Sequence, residues 1–564
     1  MPQTLNDILS ALQTAGIPFP KTPDYIENNL NPTFELRPYQ IETFGRFLHY
    51  LDNDNLRQKP AQLLFHMATG SGKTLIMAGA ILHLYSKGYR NFLFFVNSTN
   101  IINKTRDNFL NPQSSKYLFS ETIAFGDKKV QIREVDNFQS TNDDCINIVF
   151  ATIQELHSRL NTPRENSVTY DDFIDKKIAL ISDEAHHINV DTKKGKLSVE
   201  ESEEIISWET TVSRIFRSNN ENILLEFTAT IDLSIPEIAS KYSDKIIFDY
   251  PLKQFRIDGY SKEVKVFQSD VPLIQRALQA IVLSQYRRKV FEKNKKLIKP
   301  VLLLKSKTIA ESKAFYHEFI EKMKTLKKSE ITAILKSSDP VIKKCSNYFE
   351  SNGITIENLI EELKSDFSVE KCIEVNSKEE SEQKQIAVNT LENLNNEYRA
   401  VFAVDKLNEG WDVLNLFDIV RLYETRDADT KTGKPGKTTI AEAQLIGRGA
   451  RYCPFQIDDT QLKYQRKYDN DLDNELRICE ELYYHSAFNP KYIHELHNAL
   501  HEIGIKEKSA KEIQLELKMD FKESSFYRTG YVFKNEQIRY DRSGLFALPN
   551  TITEKIYHYN IQTG

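Results

Sequence analysis

Short apolar runs recur along this chain, each followed by a stretch long enough for an amphipathic helix. A first set falls at 63–66, 92–96, 146–151, 178–182 and 223–227, and a second at 301–304, 372–375, 400–404 and 419–423. Such a rhythm builds a parallel sheet with helices on both faces. Two sets predict two lobes, so the expected class is α/β with parallel sheets in tandem. The expected boundaries are a helical N-terminal piece at 1–33, a first lobe at 34–248, a joining region at 249–298 and a second lobe at 299–460. Inside the second lobe, 325–370 reads as a helical insertion: its Ile356, Leu359, Ile360 and Leu363 stand at i, i+3, i+4 and i+7. Residues 461–564 lose the rhythm and read as an α+β extension, helical first, with strands near 512–518 and 530–539.

A length of 564 residues leaves room for about three to four domains. Hydrophobic residues at 40% and charged residues at 27% suit a soluble globular chain and exclude a disordered one. Lysine and arginine number 75 against 80 acidic residues, and this net charge of −5 excludes a polybasic tail protein while leaving room for local basic grooves. No window approaches about 18 uncharged apolar residues, so no membrane span is expected. The N-terminus also lacks the basic flank and long apolar core of a secretory signal. Cys145, Cys345, Cys372, Cys453 and Cys479 form no C-x-x-C pair, which favours neither a disulfide framework nor zinc and fits a reducing, cytoplasmic setting.

Only 19 glycines occur, about half the usual share of about 7%. A chain this sparing is expected to keep glycine for places where the backbone needs it, and Gly70-Ser71-Gly72 and Gly447-Arg448-Gly449 read as two such turns. The segment Thr69-Gly70-Ser71-Gly72-Lys73-Thr74 follows an apolar run and opens a helical stretch. Its glycines let backbone N–H groups curl around phosphates, and the helix N-terminus adds a favourable dipole. Lys73 would reach the β- and γ-phosphates, and the Thr74 hydroxyl would bind Mg²⁺. Met67 stands where G-x-x-x-x-G-K-[ST] has its first glycine, so the strand before and the helix after carry the phosphate reading over a plain glycine turn. Asp183-Glu184-Ala185-His186 follows the apolar run 178–182, at a strand end where α/β proteins bind ligands. Asp183 suits Mg²⁺, Glu184 suits orienting or deprotonating a water, and His186 would couple this site to what lies across the cleft.

With these two motifs the sequence resembles superfamily 2 helicases, and further motifs follow in the expected order. Glu35-Leu36-Arg37-Pro38-Tyr39-Gln40 looks like the adenine-reading motif, with Gln40 as base reader and Arg37 beside it. Thr228-Ala229-Thr230 matches the motif that links ATP state to nucleic-acid binding through Thr228 and Thr230. The stretch 402–412, with Gly410 and Asp412, resembles motif V, and Gln444-Leu445-Ile446-Gly447-Arg448-Gly449-Ala450-Arg451 matches motif VI. The resemblance implies two RecA-like lobes, ATP between them, Gln444 beside the nucleotide, and Arg448 and Arg451 as arginine fingers.

The strings Asn408-Glu409-Gly410-Trp411-Asp412, Ser207-Trp208-Glu209, Asp258-Gly259-Tyr260 and Tyr483-Tyr484-His485-Ser486 look like the helicase subunit of type III restriction enzymes. That family implies a DNA-tracking ATPase, double-stranded DNA as its polymer, and a site-recognising methyltransferase partner. Its nuclease needs an acid followed by [DE]-x-K; the late match Glu516-Leu517-Lys518 is a spacing common by chance in a chain this rich in Glu and Lys, so DNA cleavage is not expected from this chain. Backbone contacts are expected from Ser98 and Thr152, after first-lobe strands, and from Lys305 and Lys307, after a second-lobe strand. The basic stretch 287–299 is either a phosphate contact or a solvated helix face. RNA stays open as the polymer, because these motifs read mostly backbone. A stand-alone antiphage or repair helicase and a nucleotide-gated clamp remain as other readings.

Overall fold

An apolar strand can sit in the middle of a sheet only if both of its faces are covered, and here both are. The computed structural model describes residues 4–139, 141–162, 169–185, 199–231, 233, 235–376, 382–404, 411, 413–425, 436–505, 523 and 525–530. Met1–Glu507 form one unit; in the second, Lys508–Gly564, the described residues include a short helix, Ser525–Thr529.

The first sheet comprises β1 (Ala61–Met67), β2 (Asn91–Val96), β3 (Ile123–Phe125), β4 (Lys128–Glu134), β5 (Cys145–Thr152), β6 (Ile178–Ser182), β7 (Ile223–Thr228) and β8 (Ile246–Tyr250). Its order is β3-β4-β5-β2-β6-β7-β1-β8, parallel throughout except for the β3–β4 pair. The second sheet comprises β9 (Glu263–Gln268), β10 (Val301–Lys305), β11 (Cys372–Val375), β12 (Ala400–Ala403), β13 (Leu416–Arg421) and β14 (Glu481–Ser486). It is wholly parallel, in the order β11-β12-β10-β13-β14-β9.

Alternate residues of each strand feed two different cores. On β2, Phe92 and Phe94 join one cluster while Leu93 and Phe95 join another. On β10, Leu302 and Leu304 face one side, and Val301 and Leu303 the other. Each such side chain contributes about 1.5–3 kcal/mol on leaving water, which is why these runs are apolar without interruption.

Several stretches differ from the sequence expectation. Residues 249–298 are more than a joining region: β9 closes one edge of the second sheet, and the helix Leu273–Lys293 buries Ala277, Ile281 and Val290 in the second lobe. Four of the basic residues there pair with carboxylates of the protein. Arg287 is fully buried against Asp418 at 2.6 Å, Arg288 pairs with Asp366, Lys289 with Glu362 at 2.7 Å and Lys293 with Glu475 at 2.7 Å. The rhythm also continues past 461, where β14 and the helix Pro490–Glu502 add another strand–helix unit. Gly447 and Gly449 lie inside the helix Lys437–Gly449 and form no turn. The stretch 325–370 holds the helices Lys328–Leu335, Pro340–Ser351 and Ile356–Asp366.

The expected strand at 512–518, and with it Glu516-Leu517-Lys518, lies outside the described residues, as does nearly all of 530–539. The five cysteines are free thiols. Among the described residues no helix is long and apolar enough to cross a membrane.

Candidate active site

Strand order assembles the first half of the site. In the row β6-β7-β1, the carboxylates after β6, the threonines at the end of β7 and the glycine loop after β1 fall side by side at the C-terminal edge of the sheet. After Met67 the chain turns tightly, with Ser71 N donating to Ala68 O at 3.1 Å. Gly70 and Gly72 adopt φ of 86° and 84°, a left-handed backbone that costs an L side chain about 1–2 kcal/mol. Gly72 opens the helix Lys73–Ser86 without any side-chain cap, so no side chain occupies its N-terminal amides. Ser71 Oγ is buried with no hydrogen-bond partner among the described residues. Free backbone donors, an orphaned hydroxyl and a lysine are the donor set a polyphosphate needs, so these residues fit a nucleotide.

Lys73 Nζ folds back to Met67 O at 3.3 Å, with Thr74 next on the same turn and Thr69 half-buried before the loop. Burial pushes the Lys73 pKa down; the charges of Glu184 and Asp183 pull it up, and those of Arg451 and Arg448 oppose it. Charges from both lobes therefore act on this amine. Asp183 Oδ1 accepts from Glu184 N at 2.9 Å, and burial together with the Glu184 charge raises the Asp183 pKa, against Lys73. Glu184 holds φ of 48°, a strained setting of the kind that clusters at functional sites. Thr228 is buried, and its hydroxyl and the Thr230 backbone hydrogen-bond each other at 3.2 Å.

The second lobe supplies the cations. Arg451 leaves the end of the helix Lys437–Gly449 and lays its side chain on the glycine loop. A Cβ placed on Gly70 would stand 2.8–2.9 Å from Arg451 Cγ, Cδ and Nε, so only glycine lets the arginine approach. Burial lowers the Arg451 pKa to about 10, with Glu392 and Glu184 opposing, and the side chain stays cationic near neutrality. Arg448 is half-buried, while Gln444, one turn earlier, is exposed.

Gln40 is engaged by protein at both ends of its amide. Its Oε1 accepts from Arg37 N at 2.9 Å, which caps the helix Pro38–Leu51, and its Nε2 donates to Ser71 O at 2.8 Å. The Tyr39 hydroxyl donates to the same carbonyl at 2.8 Å. The Arg37 guanidinium lies over the ring of Tyr464, 4.9 Å from its centroid.

The positions expected to touch nucleic acid all lie at C-terminal strand ends. Ser98 precedes the helix Thr99–Leu110, and the Thr152 hydroxyl caps the helix Ile153–Asn161 through Glu155 N. Lys305 is buried with Nζ on Val404 O at 2.9 Å, whereas exposed Lys307 reaches Thr425 Oγ1 at 3.0 Å. His186, Gly410 and Asp412 lie outside the described residues. Sequence reasoning missed Lys104, Lys116 and Glu392, whose charges act on one another and on Arg451. No local pattern announces them, since Glu392 and Arg451 reach the two lysines from the other lobe.

Residues 33–233 match the family described as type III restriction enzyme, res subunit, and residues 438–509 match a family described as an N-terminal region. The probable type III restriction-modification enzyme HindVIP Res subunit of Haemophilus influenzae is 38% identical over 457 residues, covering 74% of this chain and 88% of that protein. The chain belongs to the Res-subunit family of type III restriction enzymes. This membership makes it a helicase-type ATPase, as the order of its motifs implied. An uncharacterized protein of the same organism is 35% identical over 119 residues, 20% of this chain and 26% of that one. Among solved structures, the Type ISP restriction-modification enzyme LlaBIII bound to DNA is similar at 15% identity and a TM-score of 0.43, covering 84% of this chain and 33% of that one. The DUF1998 helicase MrfA bound to DNA and AMPPNP is similar at 12% identity and a TM-score of 0.45, covering 86% and 53%. At these scores the two likenesses add nothing to the assignment, which stands on the sequence relative.

Proposed function

We propose that this Res-family chain is the ATP-driven DNA motor of a type III restriction-like system, working with a methyltransferase subunit in the cytoplasm. The observation that carries this reading is the meeting of both lobes at the phosphate loop: Arg451 of the second lobe lies on Gly70, next to Lys73, on which the charges of Asp183, Glu184 and Arg448 act. ATP, when bound, supplies the phosphoryl group whose transfer to water releases the free energy for movement. The loop amides and Lys73 hold negative phosphate charge in place, and Thr74 and Asp183 are the residues that would hold Mg²⁺. Glu184 takes a proton from the attacking water at its carboxylate. Arg448 and Arg451 present cations from the opposite lobe, so closure of the cleft completes the site and its opening dismantles it. Thr228 and Thr230, at and just past the end of the strand between the carboxylates and the loop, couple that change to the strand ends where Ser98, Thr152 and exposed Lys307 stand, whereas Lys305 is buried and spends its amine on Val404 O.

Lys73→Ala and Glu184→Gln are each expected to abolish ATP hydrolysis stimulated by double-stranded DNA, a loss of at least about 100-fold. Undiminished turnover in either variant refutes the assignment. Stimulation by RNA alone would change the polymer, and co-purification with a methyltransferase subunit tests the partner.

A further inference from the structure

The segment Asp258-Gly259-Tyr260-Ser261-Lys262 runs from the first lobe into β9, and it touches both halves of the site. The Tyr260 ring stands edge-on to Tyr39 with centroids 5.0 Å apart, and the Tyr39 hydroxyl holds Ser71 O of the phosphate loop. One residue later, Ser261 pairs with Arg451 in an isolated antiparallel bridge, and Lys262 N donates to Ala450 O at 2.5 Å.

Lys262 itself is fully buried. Its amino group donates to Leu414 O at 2.7 Å, to Gly449 O at 3.0 Å and to Arg451 O. Among the described residues no carboxylate pairs with it. Burial lowers the pKa of this amine to about 7, and so polar a group is costly in the interior unless other groups compensate. Here the compensation comes from carbonyls at the C-terminal, negative end of the helix Lys437–Gly449, and from the segment just before β13. A mere core filler would be apolar at this position, since a methionine occupies the same volume without the desolvation cost. The amine stands where three segments of the chain meet: the interlobe connector, the exit of the motif V stretch and the end of the motif VI helix.

We propose that Lys262 is a positioning residue for Arg451, fixing the backbone from which that arginine reaches Gly70. Through Tyr260 and Tyr39 the same connector ties this position to the phosphate loop. The inference rests on the reading of Arg451 as a cation of the ATPase site.

The test is a double-mutant cycle on the full chain, measuring DNA-stimulated kcat and the KM for ATP in wild type, Lys262→Met, Arg451→Ala and the double variant. Lys262→Met is expected to lower kcat by about 10–100-fold with KM changed less than about threefold, because binding through Lys73 and the loop is kept. In the Arg451→Ala background the same substitution is expected to add less than about twofold, since the group it positions is already gone. Losses that multiply, or an unchanged kcat in Lys262→Met, would overturn the proposal. Undiminished turnover in Arg451→Ala would instead strike the reading of the site itself, and so is distinguishable. Circular dichroism and the melting temperature check folding; if Lys262→Met does not fold, Lys262→Gln, which keeps a donor toward the carbonyls, carries the same cycle. Failure of both to fold makes Lys262 a core residue and overturns the positioning role.

Discussion

Glycine–x–glycine occurs at both halves of the proposed ATPase site, and the two copies use glycine for unrelated physical reasons. In Gly70-Ser71-Gly72 both glycines take positive φ, and the backbone itself becomes the binding surface. In Gly447-Arg448-Gly449 both lie within a helix, where what matters is the missing side chain. A Cβ on Gly449 would stand 3.0 Å from Leu416 Cδ2 and 3.4 Å from both Ile419 Cδ1 and Leu482 Cδ2. Those residues lie on β13 and β14, so the glycine lets the helix settle onto the sheet and sets the height from which Arg448 and Arg451 reach across. One pattern makes a surface and the other makes a fit. Substitution by alanine separates them, because it tests conformation at the first pair and packing at the second.

The largest effect is expected at Gly72. Alanine there must hold φ near 84° and place its Cβ 2.4 Å from Gln40 Nε2, the group that ties the loop to the helix Pro38–Leu51. The strain costs about 1–2 kcal/mol of stability, which the fold survives, but the loop amides no longer converge. DNA-stimulated ATP hydrolysis is expected to fall by at least about 100-fold in Gly72→Ala, with cooperative unfolding retained. Near-normal turnover would show that the loop tolerates an ordinary backbone and would erase the contrast. Gly70→Ala sharpens it, since its Cβ meets Arg451 and not the loop's own neighbours; its loss should appear in kcat more than in KM.

What could be read from the sequence follows the range of the interactions involved. The runs at 178–182 and 372–375 coincide with β6 and β11 because continuous apolar strands need only local information. β9 was hidden because Glu263-Val264-Lys265-Val266-Phe267-Gln268 mixes charge with apolar residues, as an edge strand does. β14 was hidden because its polar groups look unfit for burial until their distant partners are known. His485 Nε2 meets Asp418 Oδ1 at 3.0 Å, 67 positions away in the chain. The basic stretch beginning at Arg287 leaves phosphate contact and solvated face equally open for the same reason, since Asp418, the partner of Arg287, lies far along the chain. In the site, the phosphate loop and Asp183-Glu184 are contiguous motifs and were legible. Lys262 was not, since its carbonyl partners lie between 152 and 189 positions away in the chain.

Gly449→Ala should show the second kind of effect. Alanine improves helix propensity by about 1 kcal/mol, but overpacking a rigid sheet costs about 1–3 kcal/mol. Leu416 and Ile419 are buried in the middle of the second sheet and have little room to retreat. A net loss of about 1 kcal/mol is expected, read as a lower urea midpoint with an unchanged slope, while kcat per folded molecule stays within about threefold. Lost turnover at unchanged stability would mean that this pair, too, acts through its backbone.

Gly447→Ala should have the smallest effect, and its sign tests whether the packing account holds residue by residue. A Cβ there meets Ile505 Cδ1 at 3.1 Å, Leu252 Cδ2 at 3.5 Å and Ile503 Cδ1 at 3.6 Å. All three are the far ends of flexible side chains, and Ile503 and Leu252 are only partly buried. The tips can turn aside by a few tenths of an ångström, so the packing penalty shrinks while the gain in helix propensity of about 1 kcal/mol remains. The two nearly cancel, and the unfolding free energy is expected to stay within about 0.5 kcal/mol of wild type. A destabilisation as large as that of Gly449→Ala would show that the contact with Ile505 is as rigid as the sheet. The helix carrying the arginines would then be clamped on two sides, and its height over the phosphate loop would depend on residues beyond β13 and β14.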